Sequence, residues 1–225
     1  MQAAEVLKQL ESMADPAAVA GMAKFAVGGQ HTLGISIPTL RQMAKEIGKN
    51  HDLAQQLWTS GIHEARLLAT MIDLPKQVTE EQMETWAKDF DSWDVCDQCC
   101  LNLFRQTPFA QQKVVEWSSR PEEFVKRASF ALMATLAVHD KKAADEVFMA
   151  YLSLIKRESV DERNFVKKAV NWALRQIGKR NRNLNQHAIE TAQEIQQMDS
   201  KSARWIAADA LRELTGDKVQ QRLPR

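Results

Sequence analysis

The segment DSWDVCDQCC, residues 91–100, places an aromatic ring and a carboxylate where they could act together. Trp93 and Asp97 are four positions apart, so on a helix they share one face. Burying an aspartate beside an indole is costly unless the carboxylate has a purpose or a partner. The pair is therefore the first candidate for chemistry in this chain.

We expect the helix carrying this pair to run from Ser92 to about Arg105, with Leu101 and Phe104 on the same side as the pair. Asp97 lies too far from the helix start to serve as a cap. Another explanation for this carboxylate is therefore required.

A carboxylate beside aromatic faces suits a reaction that develops positive charge on carbon and needs an aligned water molecule. Cleavage of a glycosidic bond through an oxocarbenium-like transition state is such a reaction. A single ionised Asp97 cannot protonate a leaving group, so the leaving group would have to be good already. The alternative interpretation is a buried ion pair between Asp97 and a Lys or Arg of a neighbouring helix.

A second candidate surface lies in NFVKKAVNWALRQIGKRNR, residues 164–182. On a helix its apolar residues fill one half of the wheel and account for the core. Outside that half lies a stripe spaced at i, i+4, i+7 and i+11, formed by Lys168, Trp172, Arg175 and Lys179. Such a stripe could offer cations to phosphates and an aromatic face to a sugar or base. The alternative is a tryptophan at the rim of the core, covered by lysine stems.

Charge is concentrated in the same region, although the formal net charge of the whole chain is only +1. Residues 156–182 contain nine basic and three acidic side chains, and Lys201 and Arg204 could extend this basic patch. A solvated charged face is the alternative.

Arg127 interrupts an apolar helical segment, FVKRASFALMATL. It could extend its guanidinium to the surface or pair with a carboxylate. If it instead faces a ligand, its planar fork suits a phosphate or the polar edge of a base.

The elements that must position these residues are helices. Hydrophobic residues make up 44% of the 225 positions, β-branched runs are scarce, and apolar residues recur at helical spacing between short breaks. Ser36, Thr79 and Ser119 are expected to start helices. Roughly a dozen helices of about 10 to 17 residues, repeating every 35 to 40 residues, predict an all-α, curved α-solenoid of HEAT-like antiparallel helix pairs. We expect one domain over residues 1–225, with functional residues on a concave face.

The three cysteines, Cys96, Cys99 and Cys100, are expected to be small buried apolar residues. The C-x-x-C-C spacing without a second Cys/His cluster is a weak zinc signal, so we expect no metal and no cofactor. The N-terminal segment lacks the apolar core of a signal peptide, and no segment is long and apolar enough to cross a membrane. These features predict a cytoplasmic protein.

In order and spacing, LGISIPTLRQMAKEI, SWDVCD, FVKRASFALMATL and FVKKAVNWALRQIGK resemble the AlkD-like family of DNA alkylation repair glycosylases. The resemblance extends from about Phe25 to Leu214. It implies a HEAT-like solenoid that grips duplex DNA and releases cationic alkylpurines such as 7-methylguanine and 3-methyladenine. It also implies that the base stays stacked rather than being flipped into a pocket.

Carried over by position, the resemblance implies that Asp97 is the catalytic aspartate, that Trp93 and Trp172 are the active-site tryptophans, and that Arg127 is the groove arginine. It leaves the basic set to hold DNA phosphates: Arg127, Lys168, Arg175, Lys179, Lys201 and Arg204. A cationic alkylpurine departs as a neutral base, which agrees with the lack of a general acid.

The chain departs from the family pattern where a tyrosine and a glutamine are replaced by Phe25 and Ser36. Two hypotheses follow. The first is a monomeric, monofunctional glycosylase acting on alkylated double-stranded DNA. The second is a non-catalytic HEAT-repeat module that binds DNA or a protein through the same face.

Overall fold

The computed structural model describes residues 2–29 and 31–224. Within these ranges the chain is all-α, with fourteen α-helices, one 3₁₀ turn and no strand. The helices form two compact units, which meet in sequence between Ala110 and Gln111. The expectation of a single domain stays a prediction.

The first unit contains seven helices and the 3₁₀ turn. In chain order they are α1 (Ala3–Ser12), α2 (Pro16–Ala23), α3 (Ile37–Ile47), α4 (His51–Thr59), α5 (His63–Ile72), α6 (Glu80–Lys88), α7 (Trp93–Asn102) and the 3₁₀ turn (Phe104–Gln106). Helix α5 packs against α3, α4 and α7. The helix that carries the candidate carboxylate is thus a direct neighbour of α5.

The second unit contains the remaining helices, the first of which begins at the unit boundary. They are α8 (Ala110–Trp117), α9 (Glu123–His139), α10 (Asp145–Glu158), α11 (Asn164–Gly178), α12 (Arg182–Gln196), α13 (Lys201–Leu214) and α14 (Asp217–Gln220). Helix α11 packs between α9 and α13, while α10 packs on α12. Alternate helices therefore stack in two layers, as a helical repeat requires.

The repeat period appears directly in hydrogen bonds between successive repeats. Asn171 bonds to Asp209, Arg175 to Glu213 and Lys156 to Glu194, and each pair is 38 positions apart. This spacing confirms the predicted repeat of 35 to 40 residues.

Two of the three predicted helix starts are correct. The hydroxyl of Ser36 accepts the backbone N–H of Thr39, and that of Thr79 accepts the N–H of Gln82. The prediction for Ser119 is wrong, because α9 begins at Glu123 after an N-cap at Glu122, with no side-chain cap. Helix α9 is instead held by its buried apolar face.

Helix α7 is shorter than expected. It ends at Asn102, and Leu103 leaves the helical conformation with φ −124° and ψ −66°. Phe104 is consequently fully buried in the 3₁₀ turn, where its ring lies near those of Trp86 and Phe90, and it is not part of the helix that carries Trp93 and Asp97. Its burial among aromatic rings of the core outweighs continuation of the helix.

The core of the first unit is built around stacked indoles. The rings of Trp58 and Trp86 lie 3.9 Å apart at an interplanar angle of 4°, and both side chains are buried. The indole N–H of Trp58 donates to Asp89 at 2.9 Å, so its one polar atom is satisfied.

Among the described residues, no helix is long and apolar enough to span a membrane.

Replacing Trp58 by Ala should lower the free energy of unfolding by about 3–5 kcal/mol, because it removes a stacked ring from a packed core. Urea denaturation followed by circular dichroism would measure the change. Met13→Ala, at an exposed position, is the control and should be close to neutral. A Trp58 variant as stable as this control would contradict the importance of the stack.

Candidate functional site

Helix α7 sorts its residues into two faces. The buried face carries Cys96, Cys99 and Cys100, which confirms their predicted role as small core residues. Burial raises the pKa of the Cys99 thiol well above its usual value, so this sulfur is held as a neutral thiol. Trp93 and Asp97 lie on the other face, half-buried and one turn apart.

Trp93 is the first residue of α7, and its indole is bonded to the α2–α3 connection, whose described residues are 24–29 and 31–36. The ring N–H donates to the Phe25 carbonyl oxygen at 3.2 Å. The Phe25 side chain itself is exposed. The orientation of the Trp93 indole therefore depends on how this connection is held.

The α2–α3 connection is held by a buried carboxylate on α5. Glu64 accepts backbone N–H groups of Leu33, Gly34 and Ile35 at 2.8, 2.7 and 3.2 Å. Gly34 has φ +85°, and a Cβ there would collide with the Asp15 carbonyl oxygen, so glycine is needed for this approach. Three N–H donors satisfy a carboxylate that is removed from water.

The residue before Glu64 links α5 to the start of α7. His63 is buried, and its Nε2 lies 2.8 Å from Oδ2 of Asp94, the residue after Trp93. The contact has the length of an ion pair without the alignment of a strong hydrogen bond. The backbone N–H of His63 also donates to the His31 carbonyl at 2.8 Å. The first turn of α5 thus fixes both segments that flank the Trp93 indole.

The pKa values of this pair move in opposite directions. Burial disfavours the imidazolium, but the close contact with Asp94 and the negative charges of Asp94, Glu64 and Asp91 outweigh burial and raise the pKa of His63. Burial likewise disfavours the Asp94 carboxylate, but His63 outweighs it and the pKa of Asp94 is lowered. The pair therefore favours its charged form.

In the second unit, Arg127 is buried, with 6% of its surface exposed. Its Nη1 donates to the Phe165 carbonyl oxygen at 2.6 Å and so connects α9 to the first turn of α11. Trp172, on α11, is half-buried, and Lys168 is exposed. The apolar half of α11 is buried as the helical wheel predicts.

The other two members of the predicted stripe are ion-paired. Arg175 Nη1 lies 2.7 Å from one oxygen of Glu213 and Lys179 Nζ lies 2.7 Å from the other. Arg175 also lies 3.3 Å from Asp209. Burial disfavours the Glu213 carboxylate, but Lys179 and Arg175 outweigh it and lower its pKa. These two cations are therefore largely neutralised within the protein.

Lys201 and Arg204, the remaining predicted phosphate contacts, are exposed in the first turn of α13. Arg204 lies 3.3 Å from Asp199, an exposed pair that salt would screen. Among the described residues, no group of three or more His, Cys, Asp or Glu side chains is arranged to hold a metal ion.

The residues that support the site have no local signal in the sequence. The partners of His63 and Glu64 are distant in sequence, so no local pattern joins them. The partner of Glu213 is also distant, but the repeat offers a signal: an acidic residue follows Arg175 by one period of 38 positions.

We expect the His63–Asp94 pair to make stability depend on pH. The contribution of His63 is complete below its unfolded pKa of about 6.5 and is lost as pH rises through the higher folded pKa. That of Asp94 is complete above about 3.8 and is lost as pH falls through the lower folded pKa. Asp94→Asn should therefore destabilise more at about pH 5.5 than at about pH 9, measured by urea unfolding.

The matched control is Asp52→Asn, at an exposed position in the first turn of α4, which should show little change in its effect between the two pH values. An Asp94→Asn penalty that stays constant with pH would contradict an ion pair at this position.

The family model for DNA alkylation repair enzymes matches residues 6–214. No curated protein is significantly similar in sequence. A solved structure described as belonging to a new family of proteins related to the HEAT-like repeat DNA glycosylases, with affinity for branched DNA structures, is similar with a TM-score of 0.80 and 18% identity. The match covers 100% of this chain and 98% of that chain, and it confirms the HEAT-like fold.

Two further structures are much less similar. An engineered protein has a TM-score of 0.39 at 15% identity, covering 78% of this chain and 90% of its own. A designed armadillo repeat protein in complex with the peptide (KR)4 has a TM-score of 0.36 at 15% identity, covering 81% of this chain and 87% of its own. The match of the family model over nearly the whole sequence is decisive: the chain belongs to the DNA alkylation repair enzyme family.

Proposed function

We propose that this protein is a DNA glycosylase that hydrolyses the N-glycosidic bond of cationic alkylpurines, such as 7-methylguanine and 3-methyladenine, in duplex DNA. The observation that carries the proposal is the placement of Asp97 on the half-buried face of α7, one turn after an indole held by the α2–α3 connection. Membership of the DNA alkylation repair enzyme family supports the same assignment.

In the proposed reaction, a water molecule attacks C1′ of the damaged nucleotide and the bond from C1′ to the purine nitrogen breaks. The bonding electrons neutralise the positive charge of the alkylated base, which leaves without being protonated. Asp97 accepts the proton from the water and stabilises the positive charge that develops at C1′. The products are a neutral free base and an abasic site.

Trp93 has a positioning and electrostatic role in this scheme. Its indole face lies near the developing sugar cation, where an aromatic ring contributes roughly 0.5–2 kcal/mol. The hydrogen bond to the Phe25 carbonyl holds the ring in place before the substrate arrives. We also propose that the damaged base remains stacked, so that the protein contacts the sugar and backbone rather than the base.

The second unit contributes DNA binding. Trp172 offers an aromatic surface to the sugar–phosphate backbone, while the exposed side chains of Lys168, Lys201 and Arg204 attract phosphates. Arg127 adds its positive charge from a buried position, where it donates to the Phe165 carbonyl oxygen. Arg175 and Lys179 have a weaker part than the sequence implied, because Glu213 already balances their charge. We propose that the protein acts as a monomer and without a cofactor.

A non-catalytic role in DNA binding is the second candidate. It is favoured by the similar solved structure at 18% identity, which belongs to proteins described as having affinity for branched DNA structures. Under this alternative Trp93 and Asp97 are contact residues only, and no alkylated duplex releases a base.

Asp97→Asn should reduce release of 7-methylguanine from duplex DNA by about 10²-fold or more, since a carboxamide cannot accept the proton. Affinity for the same duplex should stay within about twofold of wild type, because the shape of the side chain is preserved. Single-turnover release of free base and fluorescence anisotropy measure the two quantities.

The control for this experiment is Asp52→Asn, which changes an exposed carboxylate on α4 and should leave both quantities unchanged. An Asp97→Asn protein as active as wild type would refute the assignment of the catalytic group. If wild type releases neither 7-methylguanine nor 3-methyladenine while binding DNA, the non-catalytic candidate is correct.

A further inference from the structure

Three of the side-chain pairs between α11 and α13 are 38 positions apart. The second and third pairs, Asn171 with Asp209 and Arg175 with Glu213, join polar or cationic groups to carboxylates. The first pair differs in chemistry. There the ammonium of Lys167 lies 5.2 Å from the ring centroid of Trp205. Near the start of α11 and α13, a cation therefore faces an aromatic ring, whereas Arg175 further along faces a carboxylate.

Trp205 is exposed over 42% of its surface, which is high for so large an apolar side chain. It is not needed to complete the core, since the opposite face of α13 is fully buried through Ala203, Ile206, Ala207 and Ala210. The contact with Lys167 orients the ring without covering it. An oriented and exposed indole is typical of a surface that binds another molecule.

The charges around this indole are mainly positive. Lys168 and Lys201 are exposed near the same ends of α11 and α13, and Arg204 precedes the ring. Two carboxylates face them. Glu162 accepts the hydroxyl of Ser200 and the backbone N–H of Ser202, and Asp199 lies beside Arg204.

Four cations therefore face two carboxylates. Glu162 interacts electrostatically with Lys167 and Lys201, and Asp199 interacts with Arg204, so an excess of two positive charges remains around the ring. Toward the C-terminal ends of α11 and α13, the carboxylates of Asp209 and Glu213 form ion pairs with Arg175, Lys179 and Arg212. Along α11 and α13, the larger excess of positive charge therefore lies around Trp205. A partner for this surface must be anionic at closely spaced points and apolar between them.

We propose that Lys167, Lys168, Lys201 and Trp205 form a contact site for the sugar–phosphate backbone of duplex DNA. The ammonium groups bind phosphates, and the indole packs against the deoxyribose between them. This site rests on the proposed function only in taking DNA as the partner. It places the principal backbone contact of the second unit at the first two turns of α11 and α13, and away from Arg175 and Lys179.

Binding of the full-length protein to a short undamaged duplex, followed by fluorescence anisotropy at several salt concentrations, tests the site. Trp205→Ala should weaken binding about fivefold or more without changing the salt dependence, since no charge is removed. Lys167→Gln should weaken binding and reduce the slope of log K against log salt by about one. Trp205→Phe should retain most of the affinity.

Two controls separate this effect from general surface changes. Val160→Ala shortens another exposed apolar side chain of the second unit and should bind as wild type. Arg175→Gln removes a cation that is paired with Glu213 and should lower the salt slope less than Lys167→Gln. If Trp205→Ala fails to fold, as judged by circular dichroism, Trp205→Phe and Lys167→Gln still decide the question.

Wild-type affinity and salt slope in both Trp205→Ala and Lys167→Gln would overturn the proposal. So would a loss equal to that of Val160→Ala, or a Trp205→Ala effect on self-association in sedimentation experiments without an effect on DNA binding. Because undamaged DNA is used, the result does not depend on catalysis. Weakened binding by Trp205→Ala in a protein that releases no alkylated base would leave this site standing and refute the glycosylase.

Discussion

The carboxylate of Glu64 is buried, and a buried carboxylate has to be satisfied by hydrogen-bond donors. Here the donors are three consecutive backbone N–H groups of the α2–α3 connection. The neighbouring His63 contacts Asp94 in the first turn of α7. The first turn of α5 therefore positions two segments: the α2–α3 connection, which holds the Trp93 indole, and the start of α7, which carries Asp97. Polar contacts between helices therefore position Trp93 and Asp97, and the stacked indoles of Trp58 and Trp86 form the core of the same unit.

This arrangement has a consequence for function. A side chain that must act on a bound nucleotide has to be oriented before the nucleotide arrives, since disorder at that point lowers the rate. The indole of Trp93 is oriented by its hydrogen bond to the Phe25 carbonyl oxygen. The start of α7 is held in place by the contact of Asp94 with His63. The half-buried position of Asp97 also brings its carboxylate out of bulk water, which strengthens its interaction with a developing positive charge.

The second unit follows a different constraint, the regular stacking of helices with a period of 38 residues. Because α11 and α13 lie side by side in register, Lys167, Arg175 and Lys179 each contact a side chain of α13 that lies 34 or 38 positions later. Glu213 forms ion pairs with Arg175 and Lys179, while the ring of Trp205 contacts the ammonium of Lys167. The repeat thus decides which basic side chains are balanced internally and which remain able to attract DNA. Net charge and the number of lysines in a segment do not carry this information.

The sequence by itself determined the helical class, the repeat period, the caps at Ser36 and Thr79, and the burial of the three cysteines, because each depends on local periodicity or on side-chain chemistry within one turn. It also placed Trp93 and Asp97 on a common helix face. Only the tertiary structure decided that α7 stops before Phe104, that Glu213 neutralises part of the predicted stripe, and that His63 and Glu64 support the site. These features arise from contacts between residues about 30 or more positions apart, or from competition for the core, and neither leaves a pattern within a single helix.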